Sequence, residues 1–129
     1  MATYLLDTSV IIDVLNGKRA RASLLEELLR AGNTLACSPI NVAEVYAGMH
    51  PKEASATDAF LSGLDYYDIS WKVARSAGRL RYEQARRGRT LSLADTMIAS
   101  VALTNGLILM TDNRKDFMIT GLELYPLES

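Results

Sequence analysis

Thr3-Tyr4-Leu5-Leu6-Asp7-Thr8-Ser9-Val10, near the start of the chain, is a short apolar, partly β-branched run that stops at a carboxylate. The run predicts a buried strand over Thr3–Leu6. Asp7, Thr8 or Ser9 then offers a cap for a short helix carrying Val10, Ile11, Val14 and Leu15. A carboxylate beside a buried strand costs stability unless something compensates it. The same placement recurs along the chain. Glu44 sits inside Pro39-Ile40-Asn41-Val42-Ala43-Glu44-Val45, and Asp95 opens the apolar helix from Ala94 to Leu103. Asp112 ends Leu107-Ile108-Leu109-Met110-Thr111, with Asn113 and Asp116 just beyond.

Outward from the first strand, Leu24, Leu25, Leu28 and Leu29 repeat at helical spacing, and Gly32-Asn33 stops that helix. Thr34–Cys37 reads as a second strand. Ser38-Pro39 starts a helix in the favoured order, a capping hydroxyl followed by proline at the first helical position. Gly48 to Pro51 breaks it, and Ala54–Leu64 is helical again. Tyr66–Ile69 is the third expected strand, and Ser70 caps a long helix ending near Gly88. A helix from Ser92 to Asn105-Gly106, a fourth strand over Leu107–Thr111 and a fifth over Leu122–Tyr125 complete the order. Strands alternating with helices imply right-handed crossovers, hence an α/β fold with a mostly parallel five-stranded sheet covered on both faces. At 129 residues the chain reads as one domain spanning 1–129.

Composition narrows the classes. Hydrophobic residues make up 49% and charged residues 22%, so the chain reads as globular and not disordered. No stretch approaches the ~20 apolar residues of a membrane span, and Asp7 and Asp13 interrupt the first apolar run, so neither signal peptide nor anchor is expected. The lone Cys37 excludes an intramolecular disulfide and suits a reducing, cytoplasmic setting. Net charge is only -1, yet Lys72, Arg75, Arg79, Arg81, Arg86, Arg87 and Arg89 crowd one segment against Glu83 alone. A solvated helix face explains such a run. Its arginines also suit phosphate contacts, and Lys72, Arg75, Arg79 and Arg86 are the candidate nucleic-acid-binding residues.

In an open α/β sheet, ligands bind beyond the carboxyl ends of the strands. Asp7 and Asp112 lie at two such ends, and Glu44 and Asp95 lie in the opening turns of helices that follow the same edge. Each has an ordinary explanation. Asp7 can cap a helix, Ser92-Leu93-Ala94-Asp95 matches a capping box, and Asp112-Asn113 can be a turn. Glu44, flanked by Val42, Ala43, Val45 and Tyr46, is the hardest to explain in this way, because nothing there needs a cap. Convergent carboxylates repel and raise one another's pKa, a problem that a divalent cation reverses. Oxygen donors without imidazole or thiolate point to Mg²⁺ or Mn²⁺, and His50 beside Pro51 reads as surface. Such an ion assists in-line hydrolysis of a phosphodiester, leaving a 5′-phosphate and a 3′-hydroxyl.

Four segments carry a resemblance. They are Leu5-Leu6-Asp7-Thr8-Ser9-Val10, Ser38-Pro39 through Glu44-Val45-Tyr46-Ala47-Gly48, Leu93-Ala94-Asp95-Thr96-Met97-Ile98-Ala99, and Leu109-Met110-Thr111-Asp112-Asn113-Arg114-Lys115-Asp116-Phe117. Together they resemble the PIN-domain ribonucleases, and more narrowly the VapC-type toxins of toxin–antitoxin pairs. The resemblance implies a PIN-like three-layer sandwich and a Mg²⁺- or Mn²⁺-dependent endoribonuclease acting on tRNA or rRNA. It also implies a homodimer and a VapB-like antitoxin whose C-terminal segment obstructs the acidic pocket. It maps the catalytic and metal-holding acids onto Asp7, Glu44 and Asp95, with Ser9 supporting the first by hydrogen bonding. Asp112 is the expected fourth acid, with Asn113 and Asp116 as alternatives for that position. Two other readings compete. One is a receiver-like Mg²⁺-binding phosphoacceptor module with its acceptor at Asp68. The other is a catalytically silent PIN fold acting as a binding module.

Overall fold

The computed structural model describes residues 1–127. Four strands form one parallel sheet: β1 (Thr3–Leu6), β2 (Thr34–Cys37), β3 (Asp65–Tyr66) and β4 (Ile108–Met110). The spatial order is β3-β2-β1-β4. Alternation along the strands explains why both faces are covered. Leu5 faces one core with Ala36 and Leu109, and Leu6 faces the other with Leu35, Cys37 and Met110. Both leucines of β1 are fully buried, and each contributes about 2 kcal/mol by leaving water.

Six helices supply the cover: α1 (Thr8–Leu15), α2 (Arg19–Arg30), α3 (Pro39–Gly48), α4 (Ala54–Ser62), α5 (Trp71–Arg86) and α6 (Leu93–Asn105). Val10, Ile11, Leu25, Val45 and Leu61 bring α1, α2, α3 and α4 onto the Leu6 face. Val73, Ile98, Ala99, Val101 and Ala102 bring α5 and α6 onto the Leu5 face, where Phe117 completes the packing. The result is three layers, helix on sheet on helix. Gly106, at φ +65, ends α6 in the left-handed conformation that turns the chain into β4.

Two sequence expectations change. The third strand is Asp65–Tyr66 and not Tyr66–Ile69, because in this register β2 ends at Cys37, opposite Tyr66, and both residues of β3 are exposed at the sheet edge. The fifth strand contracts to a single parallel bridge between Leu109 and Leu124. Leu109 N–H donates to Glu123 O (2.9 Å) and Tyr125 N–H to Leu109 O (2.8 Å), so the segment does run beside β4. Gly121, at φ +86, turns into it and Pro126 follows it without an N–H to extend the ladder. The sheet therefore has four strands. No helix of the described residues is long and apolar enough to cross a membrane.

With β2 on one side of β1 and β4 on the other, the strand order reverses at the β1/β4 seam. A crevice opens beyond the carboxyl ends of strands at such a switch point.

Candidate active site

Asp7 sits at that seam. Its N–H donates to Met110 O (2.9 Å), tying the end of β1 to β4. Its carboxylate is almost wholly buried and has two donors. Oδ1 accepts the Thr8 N–H (2.9 Å) as the cap of α1, and Oδ2 accepts Thr111 Oγ1 (2.7 Å) just past β4. Capping and convergence are thus compatible roles for one residue. Thr111 is itself positioned, since its Oγ1 accepts the Asn113 N–H (3.0 Å).

Glu44 lies in the second turn of α3 and is exposed, but it is aimed. Its Oε1 accepts Thr8 Oγ1 (2.6 Å), and Thr8 Oγ1 accepts Asn41 Nδ2 (3.3 Å). The fully buried Asn41 is fixed in turn by Ser38, whose N–H (2.9 Å) and Oγ (2.7 Å) both donate to Asn41 Oδ1. The capping box of α3 therefore continues as a chain of hydrogen bonds ending at Glu44. Asp95 stands in the first turn of α6, where its N–H donates to the capping Ser92 Oγ (3.0 Å).

The electrostatics show these acids sharing one field. Burial pushes the Asp7 carboxyl up from its ordinary pKa. The hydrogen bonds from Thr111 and Thr8 oppose the rise, and the charges of Glu44 and Asp112 add to it. Asp95 is raised chiefly by burial and further by Asp7, Asp116 and Glu44, with the Ser92 hydroxyl working against them. Asp7 thus feels Glu44 and Asp112, while Asp95 feels Asp7, Glu44 and Asp116.

The fourth position divides. Asp112 forms an ion pair with Arg21 of α2, while Asp116 stands in the 3₁₀ turn Arg114–Phe117, its N–H donating to Asn113 O (3.0 Å). Asn113 contributes its backbone to the Thr111 turn. Ser9 departs from expectation: its Oγ is buried and finds no hydrogen-bond partner among the described residues. The side-chain donor to Asp7 is Thr111. Asp68, the acceptor of the phosphoacceptor reading, lies past β3 with Oδ1 accepting the Ile69 N–H (2.8 Å), and it does not act on Asp7 or Asp95.

Which ion suits this donor set follows from its chemistry. His50 caps the 3₁₀ turn Pro51–Glu53 and Cys37 is buried in the core, so the acids present oxygen donors alone. Among the described residues no three His, Cys, Asp or Glu groups stand close enough to enclose an ion unaided. Mg²⁺ keeps several waters and is held through one or two carboxylates, so a loosely spaced oxygen set fits it, and Mn²⁺ shares the preference.

The sequence matches the PIN domain family over residues 4–118. The chain belongs to the PIN-domain family. Among curated relatives of this PIN-domain protein, Ribonuclease VapC19 of Mycobacterium tuberculosis is 35% identical, covering 88% of this chain and 90% of the relative. The tRNA(fMet)-specific endonuclease VapC of Shigella flexneri is 29% identical over 94% of each. In three dimensions the PIN-domain chain is similar to the VapBC2 structure from Rickettsia felis bound to a promoter DNA fragment. That likeness has a TM-score of 0.86 at 32% identity and covers 95% of this chain and 97% of the other.

The candidate RNA contacts of the PIN domain lie on α5. Lys72, Arg75, Arg79 and Arg86 are all exposed and recur at helical spacing on one face. Two exposed aromatic residues that the charge pattern did not single out join them. The Arg75 guanidinium lies 5.6 Å from the Trp71 ring centroid, and that of Arg86 lies 5.8 Å from the Tyr82 ring. Other arginines of the segment are structural. Arg81 Nε donates to Leu91 O (3.1 Å) and Arg89 Nη1 to Met118 O, bracing the loop that leads into Asp95.

Thr111→Val tests the support of Asp7 directly. It keeps the side chain's shape while removing a buried donor to Asp7 and the acceptor of the Asn113 N–H. A loss of about 1–3 kcal/mol is expected in urea unfolding. An unchanged midpoint would show that Thr111 does not hold the carboxylate.

Proposed function

We propose that this PIN-domain protein is the toxin of a toxin–antitoxin pair, a Mg²⁺- or Mn²⁺-dependent endoribonuclease neutralised by a VapB-like antitoxin. The observation that supports the reading is the shared repulsion among Asp7, Glu44 and Asp95 around the β1/β4 seam, which no ion pair of the described residues relieves at those three. A catalytically silent module would gain nothing from that repulsion.

Asp7, Asp95 and Glu44 would hold a divalent ion partly through its bound waters, with Asp112 or Asp116 at the margin. The ion supplies charge stabilisation at the phosphoryl oxygens and lowers the pKa of water. Asp7, fixed by Thr8 and Thr111, sets where the phosphate must sit. Glu44, oriented by the Thr8 hydroxyl, is placed to accept the proton of the attacking water. Water adds at phosphorus, the P–O3′ bond breaks, and the 3′-oxygen leaves with a proton. The products carry a 5′-phosphate and a 3′-hydroxyl. Arg75, Arg79, Arg86 and Lys72 would supply contacts to the RNA backbone, which bind any RNA. Selectivity therefore rests on RNA shape and loop presentation.

The Shigella flexneri relative supports tRNA as the substrate class, with rRNA second. The VapBC complexes of Rickettsia felis and Salmonella typhimurium support a VapB-like partner. A cytoplasmic homodimer completes the proposal.

Mapping RNA 5′ ends after induced expression tests activity and names the substrate together. Discrete new 5′-phosphate ends are expected in one RNA class. Their number should fall when a VapB-like antitoxin is co-expressed, and replacing Arg75, Arg79 and Arg86 by Gln should keep the cut sites while raising KM. No new ends in any RNA class, from protein shown to bind the ion, would favour the silent binding module.

A further inference from the structure

Arg21 and Asp112 are 91 residues apart, yet Arg21 Nη2 donates to Asp112 Oδ1. Arg21 Nε lies 3.5 Å from Asp13 Oδ2, and the other oxygen of Asp13 meets Lys18 Nζ at 3.0 Å. Only 15% of the Arg21 side chain is exposed, and Nη1 has no hydrogen-bond partner among the described residues. The guanidinium is thus enclosed between carboxylates of α1 and the β4 edge. Enclosing a cation with an unpaired N–H is costly, and a half-exposed partner returns little stability. The largely buried Asp13 gives the guanidinium a structural partner, but stability alone gives the reach to Asp112 little rationale.

Its position supplies one. Asp7, Glu44, Asp95, Asp112 and Asp116 share one field, and among the described residues Asp112 alone of the five is paired with a cation of the chain. We propose that Arg21 is an internal counter-cation that withholds Asp112 from the ion-binding set and so limits the charge the centre presents. It is a positioning residue, acting through Asp112. The inference rests on reading the acidic centre as a divalent-ion site.

The test is a Mn²⁺ titration by calorimetry of the native protein, Arg21→Ala, Asp112→Asn, the double variant and Arg21→Lys, each with its melting temperature. Arg21→Ala frees a carboxylate beside the site, so its Mn²⁺ affinity should rise about tenfold. In the Asp112→Asn background the same change should alter affinity by less than about twofold, because coupling vanishes when one partner is gone. Arg21→Lys should restore near-native affinity. In RNA cleavage, Arg21→Ala should lower kcat with KM unchanged. Equal tightening in both backgrounds would overturn the proposal, since Arg21 would then act on the other acids through space. Weaker binding alongside a lower melting temperature would reduce Arg21 to a fold contact and overturn it as well. Native binding with no response to Arg21→Ala removes this inference alone. If no variant binds Mn²⁺, the metal reading falls and the inference with it.

Discussion

Asp7→Asn is expected to lower the RNA cleavage rate by about three orders of magnitude, a loss of ~4 kcal/mol in transition-state stabilisation. The same change should raise the melting temperature of the metal-free protein. Asp7 is buried beside Glu44 and Asp112, and its pKa in the folded chain lies above the unfolded value. Between those two values the native state binds more protons than the unfolded state, so stability falls as pH rises through that window. The penalty remains at neutral pH, where Asp7 is charged. Asparagine cannot ionise, still accepts the Thr8 N–H and still contacts Thr111. A gain of about 1 kcal/mol, roughly 4 °C for a chain of this size, is expected at neutral pH, with a flatter pH profile. Asp95 is raised by the same causes and pulls the profile in the same direction. A variant that cleaves RNA within tenfold of native would remove Asp7 from the mechanism. One that melts lower at neutral pH would contradict the electrostatic account.

The second large effect is metal dependence. After chelation, cleavage should vanish and return with Mg²⁺ or Mn²⁺ but not Zn²⁺, given oxygen donors without imidazole or thiolate. Ligand linkage makes the same point without any RNA. Mn²⁺ at ~100 times its dissociation constant should stabilise the folded state by about 2.7 kcal/mol, or about 10 °C in melting temperature. Protons compete for the same oxygens. Because burial and neighbouring charges raise the Asp7 and Asp95 carboxyls from their ordinary pKa, the Mn²⁺ shift should fade on acidification sooner than exposed carboxylates would allow. Identical melting curves with and without Mn²⁺ at neutral pH would count decisively against an ion at this centre.

The parts legible in the sequence were those that local pattern controls. Leu5 and Leu6 ending at Asp7, Ser38-Pro39 ahead of Glu44 and Ser92 ahead of Asp95 each place an acid relative to its own element, and the structure keeps those placements. What pattern misjudged was the sheet margin. Tyr66, Tyr67 and Ile69 have strand-like chemistry, but β2 offers too few partners to extend β3 beyond two residues. Contacts between distant segments were invisible. Nothing around Thr111 announces that its hydroxyl reaches Asp7, and nothing in α2 marks Arg21 as the partner of Asp112. Ser9 had the right residue type at the right spacing, yet its hydroxyl found no partner. A motif fixes identity and order, whereas hydrogen-bond direction depends on backbone geometry at the seam.

The tie between Asp7 and Thr111 joins residues 104 positions apart. On the ribosome, β1 emerges with Asp7 already in hand, 104 positions ahead of Thr111 beyond β4. Until then Asp7 has neither the Met110 carbonyl nor the Thr111 hydroxyl to fix it, and long-range parallel pairing is slow to form in any case. The centre cannot be completed before β4 and Thr111 have been made. The carboxylate at the heart of the proposed centre is thus left without its far-side partners for as long as the segment between β1 and β4 is still being made.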